Sequence, residues 1–510
     1  MALLLVMLLF RLDAPPVYIL DEAKNAQCAR EMLQKGEWIV PTFNGIVRTD
    51  KPPLHYYFMM AAYSLFGYTA FATRFFSAIM GILTVVITYH YTKKLFNAFT
   101  GFCASLVLVC SSHFLFEFRL AVPDPYLIFF ITLGLFSGIT WLLENNTRQL
   151  FMAAVALALA TLAKGPVAIF LPGACILSWV ILKQQWNIFF TWKLFPALLL
   201  YIAIAFPWYY AVYNATNGVW INSFFIEQNL NRFSDPQEGH GGLFILTSLF
   251  VLIGLLPFSG FIVELVRRRS LLFRNQLVQF SGIIVIVFVI FFSIASTKLP
   301  NYPMPCYPFA AVILGHFIAS LLNKETISKT YPFYIVFAVT LIVPIAGFFA
   351  IRQEAEAKDI SYIALFLLIA PVLFAIYLLL KKGNDWSGNI GFIAFAFSVF
   401  NIIGLHYLYP ALYSKNPVTK NIDTVKQFHY IYAYHTFNPG FRFYLDKDIP
   451  VADNLYQLRH WIDSTPGALV ITRAEYTDSL KQISLLHEIA RHHDIFEFPT
   501  TVILAHEAKP

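Results

Sequence analysis

Residues 276–296 read QLVQFSGIIVIVFVIFFSIAS, a run with no charged side chain from end to end. A helix rises 1.5 Å per residue, so about 20 apolar residues cross the roughly 30 Å hydrocarbon core of a bilayer. A soluble core does not need a run of this length and purity. Working outward, similar runs recur along the chain and predict about 13 spans in all. They fall near 1–14, 70–91, 99–118, 125–143, 149–163, 166–182, 192–212, 243–263, 276–296, 304–322, 331–350, 361–380 and 389–409. Composition agrees: 58% of residues are hydrophobic and 13% are charged, against about 25% charged in a soluble domain. The 52 Phe and 27 Tyr suit rings that face lipid and headgroups.

The loops set the orientation. With the N-terminus cytoplasmic, one set of short loops collects Lys93, Lys94, Arg148, Lys183, Lys193, Arg267, Arg268, Arg269, Arg274, Lys324, Lys329, Lys381 and Lys382. This is the positive-inside pattern. Because these charges sit in short loops, the net charge of +7 is no sign of nucleic-acid binding. The first apolar run is short, without a basic leader or a small-residue cleavage site. It reads as a reduced first span rather than a signal peptide. The five Cys have no metal-ligand spacing, and Cys103, Cys110 and Cys175 read as packing residues.

Three outward-facing segments are expected to differ from plain linkers. In 13–69, Asp21-Glu22 begins a helix through Leu33 that Gly36 ends. A second apolar helix, Leu54–Phe66, ends at Gly67, and both are too short or too polar to span. Residues 213–242 hold an amphipathic stretch, 224–233, that reads as a lid. The last segment, 411–510, returns to polar composition and carries seven of the 13 His. Runs at His429–Tyr434, Phe441–Tyr444, Ala468–Ile471 and Thr501–Leu504 read as strands. Leu455–Ile462 and Ser479–Ala490 read as helices, which predicts a small α/β domain. His487, His492 and His493 can bind a metal, although a solvated polar face explains them more simply. Residues 1–410 form the membrane domain in this reading.

Ionisable groups beside lipid are costly, so those at the outer ends of the spans are candidates for chemistry. Asp21 is a candidate general base, with helix capping as its plain alternative. Asp124 is a candidate second carboxylate; an N-cap followed by Pro125 is a strong local explanation for it, and the two roles are compatible. Lys51, Arg119 and Lys298, with Tyr302 four residues on, are candidate phosphate-binding groups. An ordinary juxtamembrane lysine and a local Glu117–Arg119 pair are the alternatives for the first two. Glu22, Tyr57, Glu227 and Arg232 are candidate pocket or lid residues. Asp50 or Glu238 with His240 can hold a divalent ion, and a solvated histidine is the simpler reading. A Walker-type Gly-rich loop is missing, which argues against an ATP-driven pump. No internal repeat of the transporter kind is visible.

These elements together resemble the bacterial membrane glycosyltransferases that include the aminoarabinose transferase of lipid A, and more distantly the protein O-mannosyltransferases. The resemblance rests on Asp21-Glu22 through Ala29-Arg30-Glu31-Met32, on Asp50-Lys51-Pro52-Pro53, and on Arg119 through Asp124-Pro125. Lys164-Gly165-Pro166, the 224–233 stretch, and Lys298, Tyr302 and Pro305 extend it in the same order. It implies a GT-C type α-helical membrane enzyme of the bacterial inner membrane, with the C-terminal domain periplasmic. The donor it implies is a polyprenyl-phosphate sugar, and the acceptor is lipid A, a glycan or a protein. Asp21 is then the base, with Asp124 second, and Lys51, Arg119 and Lys298 hold phosphate. A divalent metal (zinc, magnesium or manganese) at Asp50 and His240 is also implied. A monomer among membrane lipids, without nucleic acid, is expected. A flippase and a non-catalytic assembly factor are the competing classes.

Overall fold

A computed structural model describes residues 1–231, 241–272, 274–325, 330–380, 386–483 and 485–506. Arg232, Glu238, His240, Lys329, Lys381 and Lys382 lie outside the described residues. The chain opens with α1 (Ala2–Leu9), α2 (Leu20–Lys35) and α3 (Leu54–Phe66), followed by α4 (Ala70–Leu95), α5 (Ala98–Cys110) and α6 (Ser112–Glu117). Next come α7 (Asp124–Glu144), α8 (Thr147–Lys164), α9 (Val167–Lys183) and α10 (Leu194–Ala215). Further long helices cover Gln276–Ile294, Met304–Leu322, Tyr331–Gln353, Lys358–Leu380 and Trp386–Tyr413.

Among the described residues nine helices are long and apolar enough to cross a membrane, or 10 if one bent pair counts as a span. The expected number near 13 is therefore too high. The difference lies in particular elements. α1 has 8 residues and α5 has 13, so they rise only about 12 and 20 Å. The run at 99–118 breaks because Ser111 leaves the helical region and its hydroxyl caps α6 by accepting from Phe114 N. α9, with 17 residues, also falls short of the length required. The run at 243–263 becomes Leu246–Gly254 and Phe258–Arg267, bent by 113° where Pro257 interrupts the helical hydrogen bonds. Hydropathy reads apolar length well but does not register such breaks.

Close packing holds the bundle together. A Cβ at Gly315, on the Met304–Leu322 helix, would lie 2.4 Å from Ala104 N on α5. Small residues permit such backbone approach in lipid, where no hydrophobic force draws helices together. All five cysteines are buried and reduced.

The loop between α1 and α4 folds against both the bundle and the C-terminal segment. α2 ends at Gly36, whose φ of 63° closes the helix in the left-handed region. Then β1 (Thr42–Phe43) and β2 (Ile46–Val47) form a hairpin about Asn44-Gly45, with φ 54° and 78° at the two turn residues. An Asn-Gly pair with both φ positive suits a two-residue hairpin. Glu31 fastens this turn, accepting from Asn44 N at 2.8 Å and from the Thr42 hydroxyl at 2.8 Å.

The C-terminal segment is an α/β unit. Its strands are β3 (Ile431–Tyr434), β4 (Val451–Ala452), β5 (Leu469–Arg473), β6 (Leu486–His493) and β7 (Thr500–His506), in the sheet order β4-β3-β5-β7-β6. β3 runs parallel to β4 and β5, and β7 runs antiparallel to β5 and β6. Two expected elements differ. Phe441–Tyr444 lies in a helix, Pro439–Leu445, because Asn438 caps it and Pro439 starts it. Ser479–Ala490 splits into a short turn of helix, Thr477–Leu480, and the edge strand β6. Pairing with β7 overrides the helix-like spacing of its apolar residues. Asn44 joins this unit to the hairpin, donating to Ile449 O at 2.8 Å and accepting from Ile449 N at 2.9 Å. Arg30 adds an ion pair with Asp446 at 2.5 Å.

Candidate functional site

Asp21 and Glu22 are neighbours in the first turn of α2 and face opposite ways. The Asp21 side chain is 61% exposed, whereas Glu22 is fully buried. Glu22 accepts from Arg74 Nε and Nη2, both at 2.7 Å, and from Ala121 N at 2.9 Å. Arg74 also donates to the carbonyls of Leu12, Pro15 and Pro16. One buried bidentate pair thus ties the end of α1, the start of α2, α4 and the 119–124 turn together. Buried and paired in this way, Glu22 anchors the loop that presents Asp21.

Arg48 leaves the hairpin and stands between two carboxylates. Its Nε lies 3.0 Å from Asp50 Oδ2, and its Nη2 lies 4.0 Å from Asp21 Oδ1. Burial alone would raise the Asp50 pKa, but Arg48 and Lys51 outweigh it and hold the group below its ordinary value. For Arg48, burial opposes the charge, while Tyr56, Asp50, Cys28 and Asp21 more than restore it and the pKa stays raised. Sequence reading missed Arg48. The Asn44-Gly45 hairpin signal could have found it, because a hairpin there returns the chain past α2.

The 219–231 segment reaches over this hairpin. It comprises a short helix, Val219–Asn222, continued in a wider π-helical turn over Ser223–Asn231. The Trp220 indole donates to Arg48 O at 2.9 Å. Thr49 and Ser223 share a hydrogen bond of 2.8 Å, and Ser223 also bonds Glu227 at 2.5 Å. Phe224 covers Gly165, where a Cβ would meet the ring at 2.5 Å and where φ is +84°. The Lys164-Gly165-Pro166 turn therefore requires glycine twice over. Tyr57 donates to Trp38 O at 2.5 Å, and burial followed by Glu37 pushes its pKa up to about 12.

A second cluster forms where α7 and α8 meet. Lys164 Nζ lies 2.5 Å from Asp124 Oδ1 and 5.0 Å from the Tyr302 ring centre. Glu117 is buried nearby, and among the described residues its Oε1 has no hydrogen-bond partner. Sequence reading noted Lys164 without assigning it to Asp124. The capping alternative does not hold for Asp124: Pro123 is the N-cap of α7, Asp124 is its first helical residue and Pro125 its second, and among the described residues no side-chain cap bond forms.

Arg119 and Lys298 are occupied with the backbone. The Arg119 guanidinium donates to the carbonyls of Met7, Leu8, Phe10 and Arg11 at 2.9–3.2 Å, which closes the C-terminal end of α1. Among the described residues Arg119 forms no ion pair with Glu117. Lys298 Nζ donates to Ser293 O at 2.9 Å and Ala295 O at 2.7 Å, at the end of the Gln276–Ile294 helix. The structure thus gathers Asp21, Arg48, Asp50 and Lys51 on one side, and Asp124, Lys164 and Tyr302 on another.

Among the described residues no three His, Cys, Asp or Glu side chains gather around a possible metal position. Asp50 is engaged by Arg48, and its expected partner His240 lies outside the described residues. Among the described residues Asp50 therefore meets no further pair of metal donors. His492 pairs with Glu356 at 3.1 Å. The chain also holds an Asp-x-Asp sequence that sequence reading overlooked, Asp446-Lys447-Asp448. Its carboxylates pair with Arg30 and Arg442 at 2.5 and 2.6 Å, a structural use.

Known proteins resemble this chain in sequence and in fold. Residues 1–222 match the family described as dolichyl-phosphate-mannose-protein mannosyltransferase. Over 346 residues the chain is 29% identical to an uncharacterised protein of Aquifex aeolicus (strain VF5), covering 66% of each chain. It is 27% identical over 314 residues to the undecaprenyl phosphate-alpha-4-amino-4-deoxy-L-arabinose arabinosyl transferase of Edwardsiella ictaluri (strain 93-146). That alignment covers 60% of this chain and 56% of the relative. The crystal structure of ArnT from Cupriavidus metallidurans bound to undecaprenyl phosphate superposes with a TM-score of 0.80 at 20% identity. It covers 100% of this chain and 98% of that one, a likeness of fold.

Proposed function

We propose that this chain, which resembles the polytopic membrane glycosyltransferases that use polyprenyl-phosphate sugar donors, transfers a sugar from such a donor to a lipid A-like acceptor. The observation that carries the reading is the Asp21–Arg48–Asp50–Lys51 cluster, held on a loop fastened to both the helical bundle and the C-terminal α/β unit. An exposed carboxylate beside fixed cations is the equipment that displacement at an anomeric carbon needs.

In the proposed reaction an acceptor hydroxyl attacks the anomeric carbon while the bond to the donor phosphate breaks. Asp21 takes the acceptor proton, and polyprenyl phosphate leaves with the bonding electrons. Lys51 neutralises the leaving phosphate. The Asp124–Lys164 pair orients the sugar, and Glu227 holds the 219–231 segment closed through Ser223 and Thr49. Glu22, Arg119 and Lys298 support the frame. The sugar we propose is 4-amino-4-deoxy-L-arabinose or a related pentose or hexose. The protein is a monomer in the bacterial inner membrane, among membrane lipids, with a cytoplasmic N-terminus. Residues 1–410 are the membrane domain and 411–510 a periplasmic domain.

A protein acceptor is the second reading, favoured by the match of residues 1–222 to a protein mannosyltransferase family. The test compares membranes from cells expressing wild type or Asp21→Asn at equal levels. Mass spectrometry of envelope lipids and proteins should find the sugar on lipid with wild type and not with the variant. Sugar on protein would replace the first reading with the second. Equal product from both chains would remove Asp21 from the mechanism.

A further inference from the structure

A cleft of about 320 Å³ opens between the C-terminal unit and the first outer loop, within the usual range for small-ligand sites. Lys24, Asn44, Arg48 and Asp50 line one wall, and His435 and Thr436 line the other.

Two independent features mark this cleft as built for a ligand. The first is Arg48. Its side chain is 5% exposed, and among the described residues neither Nη1 nor Nη2 has a hydrogen-bond partner. Its Nε is spent on Asp50, and the nearest further charge, Asp21, stands at 4.0 Å. A buried guanidinium with open donors is costly unless an anion arrives, and its planar fork suits a phosphate. The second is the topology of the facing wall. The order β4-β3-β5 places both neighbours of β3 parallel to it, one reached after the other on opposite sides. In open sheets of this kind ligands bind beyond the carboxyl ends of the strands, where the order reverses. Residues 435–438 leave the carboxyl end of β3 at that point. His435 there holds a φ of +58°, unusual for a residue other than glycine. Its ring lies between Tyr434 and Tyr476, with centres at 4.2 and 4.6 Å. A strained turn braced by rings is what a fixed binding contact requires.

We propose that this cleft holds the phosphorylated sugar head group of the acceptor, with its phosphate on Arg48 and Lys24 and its sugar against His435 and Thr436. The inference rests on the transferase reading and deepens it. None of the lining residues belongs to a membrane-spanning helix, so the cleft offers no cover for a polyprenyl tail. It suits the water-exposed end of the acceptor. A head group on Arg48 also sits beside Asp21, the proposed base. His435 and Thr436 are thereby positioning residues that make the C-terminal unit part of the substrate site.

The test uses the full chain purified in detergent, with glucosamine 1-phosphate as the head-group probe and farnesyl phosphate as the donor-side probe. His435→Gly keeps the turn, because glycine accepts the positive φ, and removes the imidazole. Arg48→Lys keeps the charge and removes the fork. Glucosamine 1-phosphate should bind wild type, with Kd raised roughly tenfold in Arg48→Lys and at least threefold in His435→Gly. Farnesyl phosphate should bind wild type and His435→Gly equally. In transfer assays His435→Gly should raise KM for the acceptor and leave KM for the donor. Absence of probe binding to wild type, or unchanged binding in both variants, overturns the proposal. Farnesyl phosphate weakened in parallel would assign the cleft to the donor and also overturn it. Probe binding that depends on Arg48 and His435, in a protein that transfers no sugar, would uphold the cleft and defeat the transferase reading instead.

Discussion

Replacing Glu22 by Gln should loosen the first outer loop before it touches any chemistry. The Glu22 carboxylate is fully buried and balances the buried Arg74 through two contacts of 2.7 Å. Gln keeps one acceptor for Ala121 N or Arg74, but its amide N–H then faces a guanidinium N–H. It also leaves the Arg74 charge without a counter-ion. Breaking one side of a buried pair costs about 3–5 kcal/mol. Domains are stable by only about 5–15 kcal/mol, so the local loop would open far more often. A loss of 3 kcal/mol multiplies an opening equilibrium by roughly a hundredfold, at about 1.4 kcal/mol per tenfold. Hydrogen exchange in nanodiscs measures this directly. Amide protection across 15–35 should fall by about that factor, while the long helices keep theirs. Sugar transfer should fall with it, because Asp21 is the preceding residue. Protection within twofold of wild type, with full activity, would refute the anchoring role of the pair.

Three other outcomes follow from the geometry. Gly165→Ala should abolish transfer and release the 219–231 segment to proteolysis, because the new Cβ meets Phe224 at 2.5 Å and φ is +84°. Arg119→Met should expose α1 to exchange at a cost on the order of 3 kcal/mol, with KM for the donor within twofold; a tenfold rise would make Arg119 a phosphate clamp after all. Burial, followed by Asp494, raises the Glu497 pKa from 4.5 to about 7. A carboxyl with a raised folded pKa resists ionisation, so the C-terminal unit should lose stability as pH climbs from about 4.5 through 7 and level off above. Thermal unfolding at pH 5 and pH 8 should show that loss in wild type and a smaller one in Glu497→Gln. Equal pH dependence in both would show that Glu497 is not responsible.

Much of the architecture was legible in local signals. Leu54–Phe66 and the α2 terminus at Gly36 emerge as read, because a proline pair and two glycines punctuate them. The 276–296 run becomes a helix over Gln276–Ile294 because no charge interrupts it. Span number was less legible, since hydropathy cannot distinguish a 13-residue helix followed by a capped break from one continuous crossing. The Phe441–Tyr444 helix shows how Asn438 and Pro439 outweigh an aromatic run.

The candidate site was legible as residue types and not as partnerships. Asp21, Asp50, Lys51 and Asp124 stand out as charges beside lipid, but nothing local pairs Asp124 with Lys164, which is 40 residues away. The five backbone contacts of Arg119 come from α1, more than a hundred residues earlier. Arg48 was passed over because its importance comes from a hairpin that folds it between two carboxylates. Long-range placement of this kind is decided by tertiary packing, for which a single sequence carries no local mark.

The most direct test of the account reconstitutes the purified chain in liposomes with a radiolabelled polyprenyl-phosphate sugar and a lipid A acceptor. Label should move to the acceptor lipid as one equivalent of polyprenyl phosphate is released. Asp21→Asn should bind the donor normally and slow this by at least a hundredfold, the scale of a lost general base. An intact donor pool with wild-type protein, or label crossing the bilayer still attached to its polyprenyl carrier, would contradict the transferase account.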